Sequence, residues 1–305
     1  MGDALTALLL AEIAILFAGF AYAAVADWRT REVTDRLWQV MGGLGLVLGA
    51  VGLLPSGLLG VTLWVVVGAL TLQHMFPWSL HGRLAGYDDF FELAAYLVVI
   101  ALVIGAAFEY GVGPVGAVPY VVIAWLASVR FARGLFEAGL LFGGADAKAV
   151  MIAGVLVPVL ASPLVGATSA SGPLLRYLPL PVNLVMNAAL LSAAIPLGLA
   201  LRNAARRESH GLGTFTGYSI AVRDLPHRFV WVRNPMSGEA RAEEDAIETS
   251  EQDRQRRERI ARELSNRGVA RIWVTPQIPY LVVLTCGAVA AVLAGNLVLD
   301  LITLV

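Results

Sequence analysis

The sequence contains little charge and almost no cysteine. Only 15% of its 305 residues are charged, whereas an ordinary soluble domain carries roughly a quarter. The single cysteine, Cys286, excludes a disulfide framework and any zinc site that requires two cysteines. No Walker loop, dinucleotide-binding glycine motif or Ser–His–Asp arrangement stands out, and the net charge of −1 gives no sign of a nucleic-acid partner. We predict no metal and no cofactor.

What is abundant is apolar sequence, at 58% of the residues and in long runs. A membrane-spanning helix needs about 20 apolar residues, and in lipid such runs must be helical because the backbone finds no other partners. The first run has no basic residue before it and is too long for a signal-peptide core, so we expect it to be a membrane helix. The runs lie near residues 4–26, 36–54, 58–76, 90–109, 115–132, 147–163, 181–201 and 278–300. They predict an all-α polytopic membrane protein with about eight transmembrane helices.

The distribution of basic residues predicts the orientation in the cell membrane, since cytoplasmic loops carry the excess of arginine and lysine. Segment 202–277 alone contains 14 of the 22 basic residues together with 11 acidic ones. A multi-pass topology with both termini outside puts this segment in the cytoplasm. The opposite orientation would place nearly every arginine outside the cell, so we predict the orientation with both termini outside.

Segment 202–277 has its own pattern and predicts a small α+β cytoplasmic insert. Short apolar stretches at 219–223, 228–233 and 269–274 suggest strands, and residues 239–267 suit a solvated helix with charge pairs. We therefore divide the chain into a helical core (1–201), the insert (202–277) and a final helix (278–305). A surface or adaptor module is the simplest interpretation of the insert.

Two aspartates border membrane helices, where carboxylates are costly and suggest function. Asp27 follows the first apolar run, where a negative charge opposes the helix dipole. A structural alternative is an interfacial ion pair with Arg29, Arg31 or Arg36. Asp146 belongs to the stretch Gly-Gly-Ala-Asp-Ala-Lys at residues 143–148. Its structural alternative is a helix N-cap preceded by ordinary glycines.

On the predicted topology both aspartates face the cytoplasm at similar depth. Two close carboxylates in a poorly hydrated place share one proton, so that one can act as a base and the other as an acid. Such a pair can activate water to cleave a peptide bond without a covalent intermediate. Lys148 would modulate the pair or anchor its helix.

These motifs resemble those of a known family. Asp-x-Arg at 27–29, Val-x-Asp-x-x-Trp at 33–38 and Gly-Gly-Ala-Asp-Ala-Lys at 143–148 are similar to the catalytic motifs of archaeal type IV prepilin and preflagellin (prearchaellin) peptidases. These enzymes are membrane aspartyl proteases of the GxGD class. The stretch Val-Thr-Pro-Gln-Ile-Pro at 274–279 also resembles the C-terminal part of archaeal members.

The resemblance implies removal of short basic leader peptides from prepilin and archaellin precursors at the cytoplasmic membrane face. It implies Asp27 and Asp146 as the catalytic pair, Gly143 and Gly144 as the residues that shape the loop, and Arg29 as a modulator. The cysteine-rich region of bacterial relatives is missing here, so we expect peptidase activity without methylation of the new N-terminus.

The sequence also departs from the family pattern. Ala145 stands at the position of the second glycine of GxGD, and four predicted helices separate the aspartates where small members have two. Asp88 or Asp89 is therefore a rival to Asp27 as the first catalytic aspartate; the structural alternative for both is helix capping. We also predict that acidic residues of the cytoplasmic rim attract the basic leader, namely Glu32, Asp35, Asp88 and Asp89.

Three alternatives remain at this level. A presenilin-like intramembrane aspartyl protease would share the chemistry but cut within a membrane span. A proton-coupled transporter would use the aspartates as relay groups, although transporters often contain matching halves and no such halves occur here. A membrane assembly protein would use segment 202–277 only for docking.

Overall fold

A computed structural model describes residues 2–53, 60–66, 118–141, 143–158, 178–208, 210–232 and 250–303, with isolated positions 58, 68, 97, 101 and 104. The chain divides into two compact units. The helical unit comprises Met1–Val25, Val33–Leu190 and Tyr280–Val305, and the insert unit comprises Ala26–Glu32 and Leu191–Pro279. The last turn of the first helix thus belongs to the insert unit, which the sequence analysis did not predict.

The described residues are mostly helical, with one small sheet. The helices are α1 (Gly2–Thr30), α2 (Asp35–Leu53), α3 (Val118–Glu137), α4 (Gly144–Leu156), α5 (Leu180–Ser192), α6 (Ala194–Ala205), α7 (Ser250–Asn266), α8 (Tyr280–Leu293) and α9 (Leu297–Thr303). All but α7 fall on predicted apolar runs. The predicted spans near 58–76 and 90–109 lie largely outside the described residues.

Two described helical segments are long and apolar enough to cross a membrane, Thr6–Thr30 and Leu180–Ala205. A third is possible if α8 and α9, which meet at a bend of 59°, count as one broken span. These segments are consistent with a membrane protein. The number of eight helices remains a prediction.

Helix α4 lies at the centre of the helical unit, packed against both α2 and α3. After Lys148 its sequence is apolar on every side, as expected of a helix that is enclosed by others. Gly154 permits close packing, since a Cβ at this position would lie 2.8 Å from the Cβ of Ser128. Phe20 and Trp38 meet edge to face with ring centroids 6.4 Å apart and close the core near α1 and α2.

At the break between α8 and α9, buried asparagines provide hydrogen-bond partners for the backbone groups. Asn187 donates to the carbonyl of Gly295 and accepts from the amide of Leu297, both at 2.8 Å. Asn296 donates to Asn183 at 2.8 Å, and its own oxygen caps the start of α9. A broken helix in an apolar environment needs such partners, because an unsatisfied backbone group there is costly.

The sheet of the insert unit contains β1 (Tyr218–Ala221), β2 (Val230–Val232) and β3 (Arg271–Pro276), all near their predicted positions. The order is β1-β3-β2, and both outer strands are antiparallel to β3. Val230 and Val232 are buried whereas Trp231 is exposed, which is the alternation of a sheet with one covered face. Between β1 and β2 the chain forms a 3-10 turn at Val222–His227, against which α7 packs.

Candidate functional site

Asp27 lies in the last turn of α1, close to Arg31. The backbone carbonyl of Asp27 accepts two hydrogen bonds from Arg31, one from its amide at 3.1 Å and one from Nη1 at 2.8 Å. The same Nη1 lies 4.0 Å from the Asp27 carboxylate, and the two side chains are only 18% and 13% exposed. Arg31 has φ of 61°, a left-handed conformation that ends the helix. The arginine therefore offsets a carboxylate that the helix dipole disfavours.

The other edge of the Arg31 guanidinium contacts the insert sheet. Its Nη2 donates to the carbonyl of Gln277 at 2.9 Å, and its carbon Cζ lies 5.0 Å from the ring centre of Phe229. Burial lowers the pKa of Arg31, and the neighbouring Asp27 carboxylate counteracts this effect. The guanidinium is thus fixed on two sides by groups that are far apart in the sequence.

Asp146 occupies the first turn of α4 and is 8% exposed. Gly143 precedes the helix in an extended conformation, and its carbonyl accepts from the amides of Asp146 and Ala147 at 3.0 and 3.2 Å. The N-cap position therefore belongs to Gly143, and the simple N-cap role considered for Asp146 does not apply. A carboxylate within the first turn is favoured by the positive end of the helix dipole.

The two glycines of the second motif differ in their surroundings. A Cβ on Gly143 would lie 2.8 Å from Oδ2 of Asp146, so a side chain at this position would displace the carboxylate. A Cβ on Gly144 would meet no atom within 4 Å. Gly143 thus has a direct steric reason to be glycine, whereas Gly144 has none.

Two other predicted site residues form a pair with each other. Lys148 Nζ donates to Oδ1 of Asp35 at 2.5 Å, which joins the start of α4 to the start of α2. Asp35 remains 56% exposed and Lys148 22%. We predicted a leader contact for Asp35 and a catalytic modulator for Lys148; in the structure their charges offset each other.

The remaining predicted residues are Arg29, Glu32, Asp88 and Asp89. Arg29 and Glu32 are exposed near the end of α1. Asp88 and Asp89 lie outside the described residues. Asp27 belongs to the insert unit and Asp146 to the helical unit. Within the described part of the chain, no three histidine, cysteine, aspartate or glutamate side chains are grouped so that they could hold a metal ion.

The sequence offers Arg31 only as a possible ion-pair partner of Asp27, and Arg31 is not among the predicted site residues. Its spacing of four from Asp27 on one helix was the available signal, because such residues are neighbours on a helix surface. No local feature of the sequence predicts that Arg31 contacts Gln277 and Phe229.

One comparison with known proteins gives a match. Residues 212–297 match the family model described as Archaeal Peptidase A24 C-terminus Type II. This region includes the sheet, α7 and α8, but neither of the two aspartates. A search of curated proteins finds no match for the chain.

Proposed function

We propose that the chain is a member of the archaeal prepilin and preflagellin peptidase family and works as a membrane aspartyl endopeptidase, and the family match over residues 212–297 supports this. It removes short basic leader peptides from prepilin-like and archaellin precursors. The family match is the observation that carries this proposal. The burial of Asp146 at a helix start and the contact of Asp27 with an arginine support the choice of the two aspartates.

The proposed reaction is hydrolysis of one peptide bond by water. The ionised aspartate takes a proton from a water molecule, whose oxygen attacks the carbonyl carbon. The protonated aspartate donates its proton to the carbonyl oxygen. When the tetrahedral intermediate collapses, the aspartate that took the water proton gives it to the leaving amine as the C–N bond breaks, and a hydroxyl of the intermediate returns a proton to the other aspartate. The pair ends with one proton again, ready for the next cycle.

The membrane supplies the setting of the proposed reaction. With both termini outside, the ends of the helices that carry Asp27 and Asp146 lie at the cytoplasmic face, as does the insert. A leader peptide with basic residues would approach from that side, and the apolar segment of the substrate would stay among the helices. Exposed carboxylates such as Glu32 are the proposed contacts for the leader.

The test compares Asp27→Asn, Asp146→Asn and Asp88→Asn with wild type, each assayed in membranes on a prepilin with a basic leader. Asparagine preserves size and removes the titratable proton, so we expect the first two variants to lose about 100-fold or more in rate. Asp88→Asn should keep kcat near the wild-type value and raise only KM, because it removes one of the predicted leader contacts. Asp224→Asn, a change at an exposed turn of the insert unit, is the matched control for expression and folding.

Each other outcome has a distinct meaning. If Asp27→Asn cleaves and Asp88→Asn is inactive, Asp88 and not Asp27 is the first catalytic aspartate. Cleavage inside the apolar segment, determined by sequencing the products, would point to a presenilin-like protease. A wild-type protein that leaves every leader intact would contradict the proposed substrate.

A further inference from the structure

Arg31 holds two backbone carbonyls with the two arms of one guanidinium. Nη1 donates to the carbonyl of Asp27 and Nη2 to the carbonyl of Gln277, at 2.8 and 2.9 Å. The planar fork of arginine suits this bridge, whereas lysine could reach only one of the two groups well. The end of α1 is thereby connected to the end of β3 within the insert unit.

Gln277 is itself fixed by two further hydrogen bonds. Its amide donates to the carbonyl of Phe229 at 3.0 Å, and its side-chain Nε2 donates to Oδ2 of Asp253 on α7 at 2.9 Å. Asp253 also accepts from Arg257, one turn further along the same helix. The carbonyl that receives Arg31 therefore cannot shift without disturbing α7.

Phe229 completes a socket around the arginine. Its ring centre lies 5.0 Å from the guanidinium carbon of Arg31 and 5.5 Å from that of Arg257, so two cations share one aromatic ring. Asp253 and Arg257 are 6% and 3% exposed on a helix that is otherwise strongly hydrophilic. Burying an ion pair is costly unless its atoms find partners, and among the described residues Asp253 Oδ1 and Arg257 Nε have no hydrogen bond, so this pair depends on its contacts with Gln277 and Phe229. We define the Arg31 socket as Phe229, Gln277, Asp253 and Arg257.

We propose that Arg31 is a positioning residue that fixes Asp27 for catalysis, and that the insert supplies the socket that holds Arg31. This inference rests on the proposed function, because it assumes that Asp27 is catalytic. The insert then has a second role beside that of a surface module: it determines the geometry of the last turn of α1.

The physical reason lies in the position of Asp27 near a helix end. The last four carbonyls of a helix have no partner within the helix, and the last turn is prone to fray. Arg31 donates a hydrogen bond to the carbonyl of Asp27 and places a positive charge near the Asp27 carboxylate. Misplacement of a reacting group by about 1 Å can reduce a rate about 100-fold, so fraying at this position would be costly for catalysis.

The first experiment compares Arg31→Ala and Arg31→Lys with wild type on the same prepilin. We expect kcat to fall about 100-fold in the alanine variant and about 10-fold in the lysine variant, because only the first loses the charge as well as the bridge. KM should stay within about two-fold, since the substrate does not bind this group.

Chemical rescue distinguishes positioning from a general effect on folding. Millimolar guanidinium added to Arg31→Ala should restore part of kcat, because it can occupy the space that the arginine leaves, whereas urea at the same concentration should not. Asp27→Asn should gain nothing from guanidinium. An Arg31→Ala variant that is folded and cleaves at the wild-type rate would overturn the proposal, as would rescue by urea to the same extent.

The role of the insert is tested on α7 with two paired changes. Asp253→Asn with Arg257→Gln removes the buried pair without leaving an isolated charge, and Glu251→Gln with Arg254→Gln removes an exposed pair from the same helix. The buried change should lower kcat about 10-fold and the exposed change should leave it unaltered. When the buried pair is changed in the Arg31→Ala variant, kcat should fall little further, because both changes act by loosening the same contact with Asp27.

The two proposals fail in different ways. If wild type does not cleave, or if Asp27→Asn cleaves normally, the proposed function is wrong. If Asp27→Asn is inactive but neither Arg31→Ala nor the buried α7 change lowers kcat, the peptidase stands and the positioning role is wrong. If the α7 variant fails to fold, the guanidinium rescue of Arg31→Ala still decides the role of Arg31.

Discussion

The carboxylate of Asp146 lies over Gly143, in the space where a side chain of residue 143 would begin. The distance from an ideal Cβ on Gly143 to Oδ2 of Asp146 is 2.8 Å, which is shorter than carbon and oxygen tolerate. The amide of Asp146 donates to the carbonyl of the same glycine at 3.0 Å. The missing side chain of one residue therefore defines the position of the other's carboxylate.

The first prediction concerns this contact. Gly143→Ala should lower kcat on a prepilin about 10- to 100-fold, because the new methyl group forces the Asp146 carboxylate away from its present position. The backbone itself should accept alanine, since φ of −107° and ψ of 134° lie in the ordinary extended region. Steady-state kinetics together with a thermal unfolding curve would separate loss of activity from loss of fold.

Gly144→Ala is the matched control for that experiment. A Cβ at Gly144 meets nothing within 4 Å and the residue is already helical, where alanine is preferred to glycine. This variant should keep wild-type activity with equal or higher stability. Equal losses in the two variants would mean that the Gly143–Asp146 contact has no special role.

Much of this molecule follows from local sequence patterns. The apolar runs predicted the helices at α1, α2, α5 and α8, because a run of apolar residues in lipid can only be helical. The apolar stretch at 228–233 and the turn before it predicted a strand near the observed position of β2. The carboxylates at helix ends stood out because charge is costly there.

The remaining features depend on residues that are distant in the sequence. Nothing local indicated that β3 would lie between β1 and β2, or that Gln277 would accept a hydrogen bond from Arg31. Each of these contacts is set by tertiary packing. The asparagines around the α8–α9 break were missed for the same reason.

A second prediction concerns the pair of Asp35 and Lys148. Asp35→Lys combined with Lys148→Asp should restore the stability that either single change removes, which we expect to be at most about 1 kcal/mol because Asp35 is largely exposed. The measurement is the free energy of unfolding of the two single variants and the swap. The loss should shrink at high salt, which screens such a pair.

The same variants test the predicted leader contact. If Asp35 binds the basic leader, the swap should raise KM even though it restores stability, since a lysine then faces the leader. If the swap restores both stability and KM, Asp35 serves only to connect α2 and α4. Asp35→Asn with unchanged KM would support the same conclusion.

A third prediction follows from the pH dependence of α7. Hydrogen bonds from Arg254 and Gln255 lower the pKa of Glu251 below its ordinary value of 4.5. A carboxyl group with a lowered pKa stabilises the folded state above its unfolded pKa, and this contribution is lost as the pH falls through the folded pKa. Glu251→Gln should therefore weaken α7 at pH 7, and its difference from wild type should shrink as the pH falls below the ordinary pKa of a glutamate.

Hydrogen exchange of the α7 amides, expressed as protection factors, would measure this effect. Arg254→Gln removes the principal donor and should lose the same pH-dependent stability. A Glu251→Gln variant whose α7 is as protected as wild type at neutral pH would show that these exposed contacts contribute nothing.

The last prediction concerns the polar groups buried at the break between α8 and α9. Asn187→Leu keeps the number and branching of the side-chain heavy atoms but removes the donor to the carbonyl of Gly295 and the acceptor of the Leu297 amide. Both backbone groups would lose their partners in an apolar environment, at a cost of about 1–3 kcal/mol each, so we expect a loss of about 2–6 kcal/mol. Unfolding of the purified protein in detergent would measure it, with Leu190→Ala, a change at a partly exposed position on the same helix, as the control. A smaller loss for Asn187→Leu than for this control would show that water or lipid headgroups can replace the asparagine, and the break would then lie closer to the membrane surface than a broken span requires.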